Sequence, residues 1–142
     1  MCLSIYFSSH QPLARLSMNP SEPQLWVNPV QSEGVREILS GILSGKHLYE
    51  VGSFMGCSCG LAYGDWSVNK LEENHQKRRK DVGLFFDYLK EATTQNELEV
   101  FGTMWEVFPP SFPTQDFEIP FQLPNSFELP EEIILKIRRN HI

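Results

Sequence analysis

Along residues 2–8, apolar and small polar side chains alternate: Leu3, Ile5 and Phe7 fall on one side, Cys2, Ser4, Tyr6 and Ser8 on the other. A period of two belongs to a strand with one apolar face, so Cys2–Ser8 predicts the first strand. Pro12, Pro20, Pro23 and Pro29 then interrupt residues 9–32. Proline lacks the N–H a ladder needs, and this stretch is expected to be extended or irregular, apart from a short strand at Leu25-Trp26-Val27. From Ser32 the period lengthens. Val35, Ile38, Leu39 and Ile42 form one helical stripe behind a capping serine, weakened at Gly41 and ended at Gly45.

Leu48–Ser53 predicts a second strand, built on Tyr49 and Val51. It runs into a segment with glycine at 52, 56, 60 and 64. Each glycine costs about 0.8–1 kcal/mol relative to alanine inside a helix, so the segment is expected to be a loop. A long helix over Ser67–Thr93 follows. Val68, Leu71 and His75 start its apolar face and Val82, Phe85, Phe86, Leu89 and Ala92 continue it, with Arg78 and Arg79 in the register between. Glu97–Trp105 is rich in strand formers on both faces, which predicts a central strand. Six prolines between Pro109 and Pro130, interleaved with Phe112, Phe117, Phe121 and Phe127, then exclude a central strand. Within Glu128–Arg139 the alternation of Ile133, Leu135 and Ile137 predicts a final strand, against a competing helix that begins after Pro130.

These elements predict an α+β fold: one globular domain over residues 1–142, with one mixed β-sheet of about four to five strands. Two helices are expected to pack mainly on one face, and residues 108–130 to form an irregular Pro/Phe-rich C-terminal arm. The expected core unites Leu3, Ile5, Phe7, Ile38, Val51, Phe85, Leu89 and Val100. Docking of the phenylalanine rings is expected to order the arm, and the stretch Phe108–Phe127 is a candidate homodimer contact.

Charge narrows the partners. The formal net charge is −6, and residues 96–142 carry eight acidic and three basic groups. That argues against general nucleic-acid affinity, which requires a basic footprint to release counterions from phosphates. The basic run Gln76-Lys77-Arg78-Arg79-Lys80 sits among equal numbers of acids over residues 61–95, six of each, and reads as a solvated helix face. Met1–Ala14 has no basic leader, and the charge-free stretch Val51–Gly64 is short of the roughly twenty residues a membrane helix needs, so neither secretion nor membrane insertion is expected. The expected location is cytoplasmic, with the thiols reduced.

Candidate chemistry concentrates at Gly56-Cys57-Ser58-Cys59-Gly60, where two thiols lie two residues apart in a glycine-freed turn. Such a pair can chelate a soft metal or undergo redox chemistry, but a single C-x-C is a weaker signal than the usual paired C-x-x-C, and free cysteine is often simply a small buried residue. Cys2 would complete three of the four ligands of a structural zinc if the first two strands were antiparallel. Parallel strands would set it roughly 20 Å away, at about 3.3 Å per residue, and on that expectation no metal site is assigned. Loss of Met1 would give Cys2 the free amine of an N-terminal nucleophile, but no oxyanion partner is identifiable. No histidine pair has metal-ligand spacing, and His75 reads as a hydrogen-bonded boundary residue. If right-handed crossovers make the strands parallel, their carboxyl ends converge. The candidate ligand-binding residues are therefore His10, Cys57, Cys59, Trp105 and Glu106. No catalytic residue or cofactor can be named. The expected function is a small-ligand-binding or protein-interaction module, with a thiol-dependent redox or metal-binding protein built on Cys57 and Cys59 as the alternative.

Overall fold

The computed structural model describes residues 2–68, 72–104 and 111–138. Its strands are β1 (Ser4–Ser9), β2 (Trp26–Pro29), β3 (His47–Gly52), β4 (Leu98–Thr103), β5 (Thr114–Asp116) and β6 (Ile134–Ile137). They form one six-stranded mixed sheet in the order β2-β3-β1-β4-β6-β5, more than the four to five strands expected, because Thr114–Asp116 in the stretch expected to be irregular adds an edge strand. Every pairing is antiparallel except β5 with β6. The helices are α1 (Glu33–Ser40), α2 (Asp65–Val68) and α3 (Glu72–Ala92), and the expected single helix over Ser67–Thr93 corresponds to the last two. Among the described residues no helix is long and apolar enough to cross a membrane.

The alternation in β1 explains how the sheet is covered. Ile5 and Phe7 pack with Val82, Phe85, Phe86 and Leu89 of α3, whereas Tyr6 packs with Leu39 of α1, Leu48 and Phe101. Successive strand residues point to opposite faces, so α1 and α3 lie on opposite sides of the sheet. This corrects the expectation of two helices mainly on one face. It also explains why β4, covered on both sides, is buried along its whole length. Ile38 is 42% exposed and its neighbour Leu39 is the buried residue, so Ile38 leaves the predicted core. The α1 stripe is set by Ser32, whose Oγ accepts the Val35 N–H at 3.2 Å.

The parallel expectation for β1 and β3 is also corrected. Ile5 stands opposite Val51 and Ser9 opposite His47 in an antiparallel register. The reason is connectivity. The proline-rich segment after β1 returns the chain across the sheet before β2, so α1 belongs to the β2–β3 connection and is no crossover between β1 and β3. Of β1, β3 and β4, the two that run in the same direction are β3 and β4, on either side of β1 and joined through α3.

Beyond β4, the described part of the proline-rich stretch contains β5, a short exposed edge strand. Prolines at 113 and 120 confine regular pairing to an edge, where the Pro113 carbonyl still accepts the Ile134 N–H at 2.9 Å. The rings behave differently from one another. Phe127 is buried against Phe86, Phe112 packs on Phe101 with centroids 4.7 Å apart, and Phe121 is 91% exposed. Residues 134–137 are a strand, which removes the competing helix there.

Candidate thiol centre

Antiparallel pairing brings the start of β1 to the end of β3, and Cys2 thereby meets the glycine loop. The sulfurs of Cys2, Cys57 and Cys59 all lie within 4.8 Å of one another. Cys2 is exposed and the other two are half-buried.

Two serines hold the loop. Ser53 donates from its backbone N–H (2.9 Å) and its Oγ (2.7 Å) to the Cys57 carbonyl, and its Oγ accepts from the Met55 and Gly60 amides at 3.2 and 3.1 Å. Gly56 turns the chain at φ +86°, a region that side chains disfavour. Ser58, between the two cysteines, is the tie to β1: its Oγ donates to the Val51 carbonyl at 2.5 Å and accepts the Ile5 N–H at 2.9 Å. Fixing Ser58 inward fixes the thiols on either side. One of them is further positioned by the Leu3 N–H, which donates to Cys59 Sγ at 3.2 Å.

Helix α3 clamps the loop from outside. Arg78 Nη1 donates to the carbonyls of Cys59 and Ala62 at 2.8 and 3.1 Å, while its guanidinium lies 4.9 Å from the Trp66 ring. Buried Asp81 accepts the Phe54 and Leu25 amides at 2.7 and 3.1 Å. Burial pushes its carboxyl above the ordinary range, against the pull of those two bonds. The basic run is therefore more than a solvated face, because Arg78 anchors the cysteine loop. The one signal for this in the chain is that Arg78 stands where the helix's apolar stripe breaks.

The thiols titrate unequally. Burial raises Cys57, but the Cys59 amide, the Cys59 and Cys2 thiols and its own amide outweigh it and hold Cys57 below the ordinary thiol value. Burial pushes Cys59 up, and a neighbouring Cys57 thiolate adds to that against the Leu3 amide. Of the two loop cysteines, Cys57 is thus the one held toward the thiolate. Cys57 also borders a cavity of 190 Å³ shared with Ser4, Tyr6, Trp26 and Glu50. Burial raises the Glu50 carboxyl, and burial with the Glu50 charge raises the Tyr6 phenol despite its Ser4 hydrogen bond. Trp26 Nε1 is the buried side-chain nitrogen or oxygen left without a partner among the described residues.

The predicted site residues separate. Cys57 and Cys59 lie together, joined by Cys2, which the parallel expectation sets at the opposite end of the sheet and the antiparallel register of β1 and β3 brings in. His10 follows the far end of β1, beside Ser9, Ser44 and Lys136 at a hollow of 30 Å³. A strand rising about 3.3 Å per residue puts it roughly 20 Å from the thiols, so the proposed convergence of His10 with the Cys57 loop does not occur. Trp105 and Glu106 lie outside the described residues. His75 shares a 2.6 Å hydrogen bond with Ser67 Oγ and contacts the Tyr63 ring edge-on. Comparison of the chain with protein-family models, curated proteins and solved structures finds no match to any of them.

Proposed function

We propose that the chain is a metal-binding module whose centre is the Cys2, Cys57 and Cys59 thiolates. The observation that carries this reading is the mutual approach of three sulfurs within 4.8 Å. Zinc–sulfur bonds of about 2.3 Å put tetrahedral ligand sulfurs about 3.8 Å apart, so the trio needs to contract by about 1 Å at most. An all-thiolate set selects a soft ion, Zn²⁺ or Cu⁺, over magnesium or calcium. With three protein ligands, a fourth position on zinc falls to water or an external group. The reading requires reduced thiols and therefore a reducing compartment such as the cytoplasm.

Equilibrium titration of the reduced protein with Zn²⁺ and Cu⁺ against a competing chelator tests the proposal. One equivalent per chain is expected, with loss of affinity of about tenfold or more in each of Cys2→Ser, Cys57→Ser and Cys59→Ser. Unchanged affinity in all three variants contradicts it. A second reading, thiol–disulfide exchange, is favoured by the same adjacency: one thiolate attacks an external disulfide and a neighbouring thiol resolves the mixed disulfide. It predicts a stable intrachain disulfide after mild oxidation and no metal retention. Separately, the exposed Phe121 ring supports a proposal of homodimerisation through the arm. Sedimentation of Phe121→Ser against the parent chain tests it, and a monomeric parent removes it.

A further inference from the structure

The irregular segment between β1 and β2 does not collapse onto α3; it is held at fixed points. The Leu13 N–H donates to Tyr49 Oη at 2.8 Å, Tyr88 Oη donates to the Ala14 carbonyl at 2.6 Å, and Leu16 exchanges two hydrogen bonds with Val27 at 2.9 and 3.0 Å. Between this segment and the C-terminal half of α3 lies a cavity of about 660 Å³. That size is within the range of sites for small organic molecules. Leu13, Leu16, Leu84 and the Tyr88 ring supply apolar wall.

The charged lining is of one sign. Among the described residues, Asp87 and Glu91, one turn apart on α3, are its charged side chains, and no lysine, arginine or histidine joins them. Neither carboxylate forms an ion pair with a described residue. The nearby cations are directed elsewhere: Arg15 Nε donates to Asn28 Oδ1 at 2.8 Å, and Lys90 lines a different hollow with Asp116 and Lys136. An open, largely apolar groove with an anionic rim complements a molecule that is apolar along its body and cationic at one end, and it repels the matching anion. The Tyr88 ring adds an aromatic surface of the kind that attracts ammonium groups.

We propose that this cavity is a binding site for a small amphiphilic organic cation, independent of the thiol centre. The experiment titrates the intact protein with octylammonium, octanol and octanoate below their micellar concentrations. It reads the methyl resonances of Leu13 and Leu84 and the calorimetric affinity at low and physiological ionic strength. Octylammonium is expected to bind about tenfold tighter than octanol at low salt, with octanoate weakest. Paired Asp87→Asn and Glu91→Gln substitutions, on exposed side chains that leave the fold intact, are expected to erase that preference while octanol binding persists. Equal affinity for octylammonium and octanol, no binding of either, or a preference that survives the double substitution overturns the proposal.

Discussion

The two ends of β1 are both polar, yet they are built on opposite principles. At the end near Ser8, Glu99 Oε1 accepts from Ser8 Oγ (2.8 Å), the Ser44 N–H (2.7 Å) and Ser44 Oγ (2.9 Å), and Ser8 Oγ accepts the Gly45 N–H at 2.8 Å. Glu99 and Ser8 are buried, and the adjoining hollow measures 30 Å³. Ser8, Ser44, Gly45 and Glu99 together hold the α1–β3 connection against β1 and β4. At the other end the hydrogen bonds mostly hold the loop's backbone and serines, the three sulfurs cluster with one of them, Cys59 Sγ, accepting the Leu3 N–H, and Cys57 borders a hollow of 190 Å³. A buried carboxylate oxygen that takes three hydrogen bonds from its surroundings is a structural part; reactive groups brought together by a backbone that is itself satisfied form a site. Substitutions should therefore cost stability at the first end and ligand binding at the second.

The largest effect is expected from Glu99→Ala. It leaves the buried Ser8 hydroxyl without its acceptor and releases the exposed Ser44 amide and hydroxyl to water, and should cost about 2–3 kcal/mol in urea unfolding. A cost below about 1 kcal/mol would erase the distinction between the ends. Glycine substitutions separate the ends next. A Cβ at Gly45 would stand 2.4 Å from both Ser8 Oγ and the Ser9 backbone nitrogen, whereas a Cβ at Gly56 would meet nothing within 4 Å and suffers only from φ +86°. Gly45→Ala should cost about 1–3 kcal/mol, and Gly56→Ala about 1 kcal/mol, with the larger change in metal affinity belonging to Gly56→Ala.

Asp81 gives the comparison a pH axis. Its carboxyl is raised in the folded state by burial, so the folded chain holds that proton to higher pH than the unfolded chain. Stability from this group is fully present below the ordinary aspartate value and is lost as pH rises through the raised folded value. Asp81→Asn should remove that component of the slope in a series of thermal unfolding curves, whereas Cys57→Ser should leave it in place. Smallest of all, Cys57→Ser in the metal-free protein should change stability by less than about 0.5 kcal/mol, as a half-exposed thiol outside the core permits.

Much of the secondary structure was legible in the chain because periodicity reports burial directly. The alternation of Leu3, Ile5 and Phe7, the Val82–Leu89 stripe and the two-faced apolar run at β4 all reappear as core. What periodicity does not carry is direction. Whether β3 runs with or against β1 depends on the proline-rich return segment and β2, and reversing that one relation moved His10 away from the thiols and Cys2 toward them. The pair Cys57 and Cys59 was visible from spacing alone. The contributions of Ser58 and Arg78 were not, because a serine between cysteines and an arginine in a basic run look like ordinary surface until their backbone partners are known.

The central claim is that the three thiolates share one ion, and X-ray absorption spectroscopy of the zinc-loaded, reduced protein tests it most directly. The account predicts three sulfur scatterers at about 2.3 Å with one lighter atom, falling to two sulfurs in Cys2→Ser. A first shell of nitrogen and oxygen, or a sulfur count unchanged by Cys2→Ser, would contradict it.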